Sequence, residues 1–272
     1  VNNIHRNVVW GQLSNLMSIP TDCPQRDERM GWMGDAQLTV EEAICNFDMA
    51  GFYTKWMRDI KEAQEKDGSV PDVVPPYWRL YPADPAWGTA CVTIPWYLYL
   101  YYGDKRILEE HYEVMKGWVD FLGTKTEGHI VKYSKYGDWC PPSYVRSPDT
   151  PGELVSTWCY YQDVVALSKI AHALGKPTEA QKYAELSEKI KEAFNKEFLK
   201  NDQYAPIGQV GPMPPVSSQT SNLLPLYSDM VPEDKKETVL KRLLEDIEAT
   251  RDCHVGTGIV GTRCLLDALT KY

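Results

Sequence analysis

The first long loop between two segments of helical periodicity reads Pro20-Thr21-Asp22-Cys23-Pro24-Gln25-Arg26-Asp27-Glu28-Arg29-Met30-Gly31-Trp32-Met33-Gly34-Asp35-Ala36. It contains four carboxylates, two arginines and one tryptophan, and its two prolines and two glycines restrict or shape the backbone. A segment with so many charges is normally a solvated loop. Because acids, guanidinium groups and an indole occur together on a shaped backbone, the loop is also suited to binding and protonating a sugar.

The composition is that of an ordinary globular chain. With 272 residues, 43% of them hydrophobic and 25% charged, it can bury a sizeable core in one or two domains. The net charge of −9 argues against a nucleic-acid partner, since phosphate binding needs a basic surface. No apolar run approaches the ~20 residues of a membrane span, so no membrane partner is expected. The start at Val1 is not a signal peptide and indicates that the natural N-terminus lies upstream, so the compartment and the oligomeric state stay open.

Helical periodicity recurs along the chain, and alternating strand patterns are almost absent. We predict helices near residues 4–18, 36–49, 51–66, 87–102, 104–122, 154–174, 176–198, 217–227, 232–249 and 258–270. Tight turns join every second pair, whereas the remaining connections are long loops at 19–35, 67–86, 123–153, 199–216 and 250–257. In antiparallel helices this alternation places the long loops at one end, where functional sites are commonly built.

The alternation favours an all-α toroid of helical hairpins, an (α/α)6 barrel, over a solenoid of stacked helix pairs. A solenoid would be expected to show a repeated consensus motif, and none occurs. A barrel of this type closes with six hairpins, whereas the predicted helices supply five. We therefore expect residues 1–272 to form a single barrel domain that lacks about one hairpin at its C-terminus.

The acidic residues of the first loop can be interpreted either as catalytic groups or as ordinary structural groups. Glycoside cleavage needs one protonated carboxyl as general acid and a second carboxylate as base or nucleophile. The candidates in this loop are Asp22, Asp27, Glu28 and Asp35. Asp35 also suits the N-cap or first turn of the next helix, and Glu28 also suits a surface salt bridge. Neighbouring carboxylates raise one another's pKa and arginines lower it, which is one way to separate an acid from a binding group.

Four tryptophans lie in or beside the predicted long loops, namely Trp32, Trp78, Trp87 and Trp139. An indole packs well against the apolar face of a sugar, especially one that carries a methyl group. Each of these side chains is equally suited to covering the helical core. Their occurrence beside a group of carboxylates favours the sugar-binding interpretation.

No cofactor or metal is predicted. The five histidines have none of the paired spacings of a zinc site, and the seven cysteines contain no CxxC motif. Gly256, Gly258 and Gly261 match the shape of a dinucleotide-binding GxGxxG, but no strand precedes them. We expect neither a nucleotide nor a metal to take part.

The first loop closely resembles a known motif. Thr21-Asp22-Cys23-Pro24-Gln25-Arg26-Asp27-Glu28-Arg29-Met30-Gly31-Trp32-Met33-Gly34-Asp35-Ala36-Gln37 is similar to the signature of the inverting α-L-rhamnosidases of glycoside hydrolase family 78. Later motifs of that family are resembled by Asp84-Pro85-Ala86-Trp87-Gly88, by Tyr136-Gly137-Asp138-Trp139 and by Thr257-Gly258-Ile259-Val260-Gly261-Thr262. The resemblance covers essentially the whole chain, and it implies an (α/α)6 catalytic barrel.

The resemblance also implies roles for single residues. Glu28 would be the general acid that protonates the departing glycosidic oxygen. The residues implied to bind rhamnose hydroxyls are Asp22, Arg26 and Asp35. Those implied to form the wall around the sugar and its methyl group are Trp32, Trp87 and Trp139.

One element of the family pattern is absent from the chain. The family's general base is a glutamate in a tryptophan-rich motif, and no such motif occurs here; Glu245 and Glu248 lie inside a charged helical segment and are poor candidates. We therefore expect the base, the last hairpin and the flanking β-sandwich domains to belong to a larger enzyme. The isolated chain is expected to be nearly inactive.

The sequence thus predicts a glycosidase that releases terminal α-L-rhamnose, with inversion, from a glycoside or polysaccharide. Two alternatives remain, a carbohydrate-binding module without catalysis and another (α/α)6 glycosidase or lyase with different sugar specificity. Neither the aglycone nor the linkage is predicted.

Overall fold

Helices dominate the fold in the computed structural model, which describes residues 1–205 and 217–272. The helices are α1 (Asn2–Ser14), α2 (Met33–Asn46), α3 (Ala50–Ala63), α4 (Pro85–Gly88), α5 (Ala90–Tyr102), α6 (Lys105–Thr124), α7 (Gly152–Ala173), α8 (Pro177–Phe198), α9 (Gln219–Tyr227), α10 (Lys236–Glu245) and α11 (Ile259–Lys271). A 3-10 turn at Glu233–Lys235 precedes α10, and a π-helical turn at Asp246–Thr250 follows it. The all-α class is confirmed.

Tight turns and long loops alternate as predicted. Between α5 and α6 the chain turns at Gly103, which has a φ of +68°, a value that glycine adopts without steric cost, and whose N–H caps α5 by donating to the Tyr99 carbonyl. The long connections after α1, α3, α6, α8 and α10 separate these turns. Residues 206–216 of the predicted loop 199–216 lie outside the described residues.

Two short hairpins interrupt the long loops and were not predicted. Strand β1 (Thr126–Glu127) pairs antiparallel with β2 (Ile130–Val131), with Thr126 opposite Val131. Strand β3 (Leu199–Lys200) pairs with β4 (Gln203–Tyr204) in the same manner. Each strand has only two residues, too few for the alternating pattern by which strands are recognised in a sequence.

Some helix boundaries differ from the prediction for local reasons. The first helix ends at Ser14 instead of residue 18, because the side chains of Ser14 and Asn15 both donate to the Gly11 carbonyl and compete with further helical bonds. The helix predicted at 87–102 is divided at Thr89 into α4 and α5.

The chain consists of two compact units, each with its own core. The first comprises Val1–Ala83, Trp87–Thr124 and Asp163–Tyr183, and the second comprises Asp84–Ala86, Lys125–Gln162 and Ala184–Tyr272. In the first unit α5 packs against α2, α3 and α6, and the rings of Trp56 on α3 and Trp118 on α6 are fully buried. In the second, α9 packs against α10 and α11, and Phe194 packs against Tyr204 with ring centroids 5.7 Å apart.

The described residues include no helix with the length and apolar character needed to cross a bilayer.

Candidate active site in the first loop

The backbone of the first loop is fixed against the segment that follows α3. Met33 N–H donates to the Asp72 carbonyl and Val74 N–H donates to the Gly31 carbonyl, both at 2.9 Å. A Cβ at Gly31 would lie only 2.1 Å from the Val74 carbonyl oxygen, so this close approach requires glycine. The loop is therefore shaped by backbone pairing at its C-terminal end, immediately before α2.

Two side chains of the loop hold the carboxylate of Glu28. The Trp32 indole N–H donates to Glu28 Oε1 at 2.8 Å, and Arg26 forms an ion pair with Glu28 Oε2. Glu28 is only 17% exposed at its side chain, whereas Arg26 is 60% exposed. The salt bridge considered for Glu28 thus exists, but the carboxylate lies in a partly enclosed position and the arginine projects to the surface.

Asp22 is held at both carboxylate oxygens. Met30 N–H donates to Oδ1 at 3.3 Å and the Cys23 thiol donates to Oδ2 at 2.7 Å. Ligand-type atoms of Asp22, Cys23 and Glu28 lie within 4.8 Å of one another, a spacing compatible with a metal ion. However, burial, followed by the bond to Asp22, raises the pKa of Cys23 to about 11, so at neutral pH the thiol keeps its proton and acts as a donor.

Asp35 lies in the first turn of α2 and is half-buried. Burial is the main reason that its pKa rises to about 6, and the nearby charges of Asp22 and Glu28 raise it further. The alternative of an N-cap is not what the structure shows, since Trp32 occupies that position and makes no side-chain capping bond. The charges of Asp22 and Glu28 are therefore close enough to Asp35 to affect its protonation.

The tryptophans occupy different environments. Trp87 is 3% exposed and packs directly on Gly34, where an added Cβ would lie 2.4 Å from the indole. Trp78 is 45% exposed and meets Trp32 edge-on, with ring centroids 6.4 Å apart. Trp139 belongs to the second compact unit, where it is half-exposed and meets Tyr136 edge-on at 5.3 Å. The first unit therefore contains Asp22, Arg26, Glu28, Asp35, Trp32 and Trp87.

No role was predicted for the buried carboxylates of the described residues, which are those of Asp72, Asp84, Asp138, Asp163 and Asp246. Asp84 accepts hydrogen bonds from the backbone of Lys135 and Tyr136. The only signal in the sequence was the position of Asp84 and Asp138 inside two of the three later motifs.

The family model described as the bacterial alpha-L-rhamnosidase six-hairpin glycosidase domain matches residues 1–272. The chain belongs to this family. The predicted (α/α)6 fold class is confirmed by the match and by solved rhamnosidase structures of the same helical domain.

Known rhamnosidases are similar over the whole of this rhamnosidase-family chain. An alpha-L-rhamnosidase of Formosa agariphila is 36% identical over 274 residues, which cover 100% of the chain and 29% of the relative. The alpha-L-rhamnosidase structure from Dictyoglumus thermophilum is 60% identical, with a TM-score of 0.95, and the match covers 100% of the chain and 30% of that structure. The structure of the Streptomyces avermitilis enzyme complexed with L-rhamnose is 33% identical, with a TM-score of 0.88, over 99% and 25% of the two chains. The chain thus spans between a quarter and a third of the length of these rhamnosidases.

Proposed function

We propose that the protein containing this chain hydrolyses terminal α-L-rhamnose from glycosides or polysaccharides. The observation that carries the proposal is the grouping of Asp22, Glu28 and Asp35 with Arg26 and Trp32 in a chain of the rhamnosidase family. A family relative from Streptomyces avermitilis has been solved in complex with L-rhamnose, which supports the sugar assigned.

Glu28 is the proposed general acid, which donates its proton to the glycosidic oxygen as the bond to the anomeric carbon breaks. It is the member of the cluster whose two oxygens are each oriented by a separate side chain, those of Trp32 and Arg26. An acid must lie within hydrogen-bond reach of the leaving oxygen throughout the step, and these contacts restrict where its carboxyl can point.

The remaining groups of the loop suit sugar binding. Arg26 has five N–H donors and is largely exposed, so it can bind hydroxyls while it contacts Glu28. The carboxylates of Asp22 and Asp35 can accept from hydroxyls. Trp32 and Trp139 are partly exposed and are proposed as the indoles that pack against the sugar, whereas Trp87, which is 3% exposed and packs on Gly34, is proposed as a buried part of the wall.

The stereochemical part of the proposal is inversion. An inverting enzyme uses a second carboxylate as base, about 6.5–9.5 Å from the acid, to activate a water molecule on the opposite face of the sugar. Of the acid and the base, the proposal assigns only the acid, Glu28, to a residue of this chain.

The experiment compares aryl α-L-rhamnosides whose phenols differ in acidity, using the full-length protein. Glu28→Gln should lower kcat/KM by about 10²- to 10⁴-fold for a weakly acidic phenol, because that leaving group needs the proton. The loss should be much smaller for a strongly acidic phenol. Proton NMR of the first sugar released should show the β-anomer.

Asp27→Asn is the matched control, because Asp27 is an exposed carboxylate in the adjacent position. Its kcat/KM should remain near that of the wild type for every substrate. An equal loss for all phenols in Glu28→Gln would remove Glu28 as the acid. A wild-type protein that binds L-rhamnose without turnover would instead be a carbohydrate-binding module.

A further inference from the structure

The start of α11 has no capping side chain of its own. Its N-cap is Gly258, which cannot supply an oxygen, so the first N–H groups of the helix need acceptors from elsewhere. The second compact unit supplies them from two consecutive residues, Asp138 and Trp139.

Four consecutive N–H groups bind to those two residues. Gly258 N–H donates to Asp138 Oδ2 at 2.7 Å, and the N–H groups of Val260 and Gly261 donate to Oδ1 at 3.0 and 3.1 Å. Between them, Ile259 N–H donates to the Trp139 carbonyl at 2.8 Å. The Asp138 carboxylate therefore caps a helix that lies 120 residues away in the sequence.

A fifth donor and a close backbone contact complete the arrangement. The Thr220 hydroxyl, from the start of α9, donates to Asp138 Oδ2. A Cβ at Gly258 would lie 2.5 Å from the Trp139 carbonyl oxygen and 2.6 Å from that of Asp138. Two helix N-termini thus converge on one buried carboxylate, and the next residue along the chain is Trp139.

Trp139 is joined to this anchor by its own backbone. Its indole is half-exposed and meets Tyr136 edge-on, its backbone forms an isolated bridge with Arg146, and the N–H of the next residue, Cys140, donates to the Val145 carbonyl at 2.9 Å. Arg146 belongs to an exposed turn. The Trp139 backbone is therefore attached to this exposed turn and also to the start of α11, the latter through its own carbonyl and through Asp138.

We infer that Asp138 is a positioning residue that fixes the backbone of Trp139, by way of the start of α11, and thereby orients the indole that the proposed function assigns to sugar binding. This inference rests on the proposed function and extends it to a residue that does not touch the substrate. Gly258 and Gly261 belong to the glycine pattern that has the shape of a dinucleotide-binding motif. In the structure their N–H groups donate to the Asp138 carboxylate.

The experiment uses two variants in the full-length protein, a mild one at Thr220 and a more disruptive one at Gly258. Thr220→Val removes one donor to Asp138 with little change in shape, and Gly258→Ala keeps the carboxylate but separates the two backbones. Both should raise KM for an aryl α-L-rhamnoside, and the inhibition constant of L-rhamnose, by about 10-fold or more, since small misplacements of a binding group have large effects. A fall in kcat alone, with KM unchanged, would indicate only a smaller folded fraction and would overturn the inference.

Ser221→Ala is the matched control. Ser221 is the neighbouring residue on α9 and is equally buried, but its hydroxyl accepts from Ser218 and does not contact Asp138. This variant should lose stability comparable to that of Thr220→Val and keep the wild-type KM. If the two variants have the same KM, Asp138 has no positioning role.

A double-mutant cycle tests whether the effect passes through Trp139. In a Trp139→Ala background, Thr220→Val should no longer change KM, because the side chain that it positions is gone. Fully additive effects would overturn the inference while leaving the proposed function intact. A wild-type protein that neither hydrolyses rhamnosides nor binds L-rhamnose would overturn the proposed function instead, and the two failures are therefore distinguishable.

Discussion

The first compact unit keeps carboxylates in two contrasting environments. Asp22, Glu28 and Asp35 are half-buried and close together in the first loop, where water and a ligand can reach them. Asp163 lies in the core, 1% exposed, and one of its oxygens accepts from the Thr89 hydroxyl and from the Trp118 indole, both at 3.0 Å. The loop thus concentrates charge where binding and proton transfer are possible. In the core, by contrast, burial raises the pKa of the Asp163 carboxyl to about 8.

The largest effect is expected for Asp163→Asn. The contribution of Asp163 to the wild-type free energy of unfolding should be greatest below pH 4 and fall, by on the order of 5 kcal/mol, as the pH rises to about 8, because ionisation is easy only in the unfolded state. An Asn oxygen can accept the same two bonds without a charge, so the variant should not show this fall. Urea unfolding at pH 5, 7 and 9 measures it.

Asp59→Asn is the control for that comparison, since Asp59 forms an i,i+4 ion pair with Lys55 on the helix surface. Its dependence of stability on pH should follow the wild type. If the free energy of unfolding fell equally in the wild type and in Asp163→Asn between pH 5 and 9, burial of the Asp163 carboxyl would not be the cause of the fall.

His111 should show the opposite dependence on pH. Both ring nitrogens of His111 lack a hydrogen-bond partner among the described residues. Burial, followed by the positive charge of Lys61, lowers the pKa of His111 from 6.5 to about 4. The other charged groups that act on the ring are Glu110, which raises its pKa, and Arg58, which lowers it. Stability from the neutral ring is complete above pH 6.5 and falls by roughly 3 kcal/mol as the pH drops to 4. His111→Leu should remove this acid-side loss in thermal or urea unfolding.

The exposed His172 provides the control, and His172→Gln should leave the acid limb unchanged. Retention of the full acid-side loss in His111→Leu would assign that loss to other groups.

In the loop, Asp35→Asn should change binding more than stability. The wild-type affinity for L-rhamnose should weaken as the pH falls through about 6, because a protonated carboxyl accepts hydroxyl bonds less well. The variant should lose this step and bind roughly 10- to 100-fold more weakly at pH 7, as expected for a lost charged hydrogen bond. Isothermal titration calorimetry between pH 5 and 8, with Asp27→Asn as control, measures both. An unchanged pH step in the variant would exclude Asp35 as its origin.

The smallest effect is expected for Glu65→Gln. Glu65 pairs with Arg79 at 2.7 Å, but both side chains are exposed. Such pairs contribute less than about 1 kcal/mol, so unfolding should be almost unchanged. A loss as large as that expected for a core group would show that exposure does not separate the two kinds of carboxylate.

The sequence predicted well what depends on neighbouring residues. Helix periodicity, the alternation of connections and the clustering of Asp22, Glu28 and Asp35 are all local patterns, and the structure contains each of them. The roles given to these residues stay predictions. The roles of the core carboxylates were not predicted because their hydrogen-bond donors are distant in the sequence, 74 residues away for Asp163 and 120 for Asp138. Periodicity cannot show which acid faces which donor after folding.

The sequence also did not predict local features that depend on hydrogen bonds made by single side chains. The first helix ends early because of hydrogen bonds made by Ser14 and Asn15. Cys23 gave no signal beyond a scattered thiol, yet it donates to a carboxylate of the site. Such contacts depend on atomic geometry that a pattern of residue types does not contain.

The contact between Gly34 and Trp87 limits how this loop can evolve. Every residue except glycine carries a Cβ, and at position 34 that atom would meet the indole ring at 2.4 Å. Directed evolution that randomises the loop should therefore recover glycine at this position. Under the proposed function, variation in sugar or aglycone preference would have to arise at more open positions such as Trp78, because the buried indole of Trp87 allows no side chain at position 34.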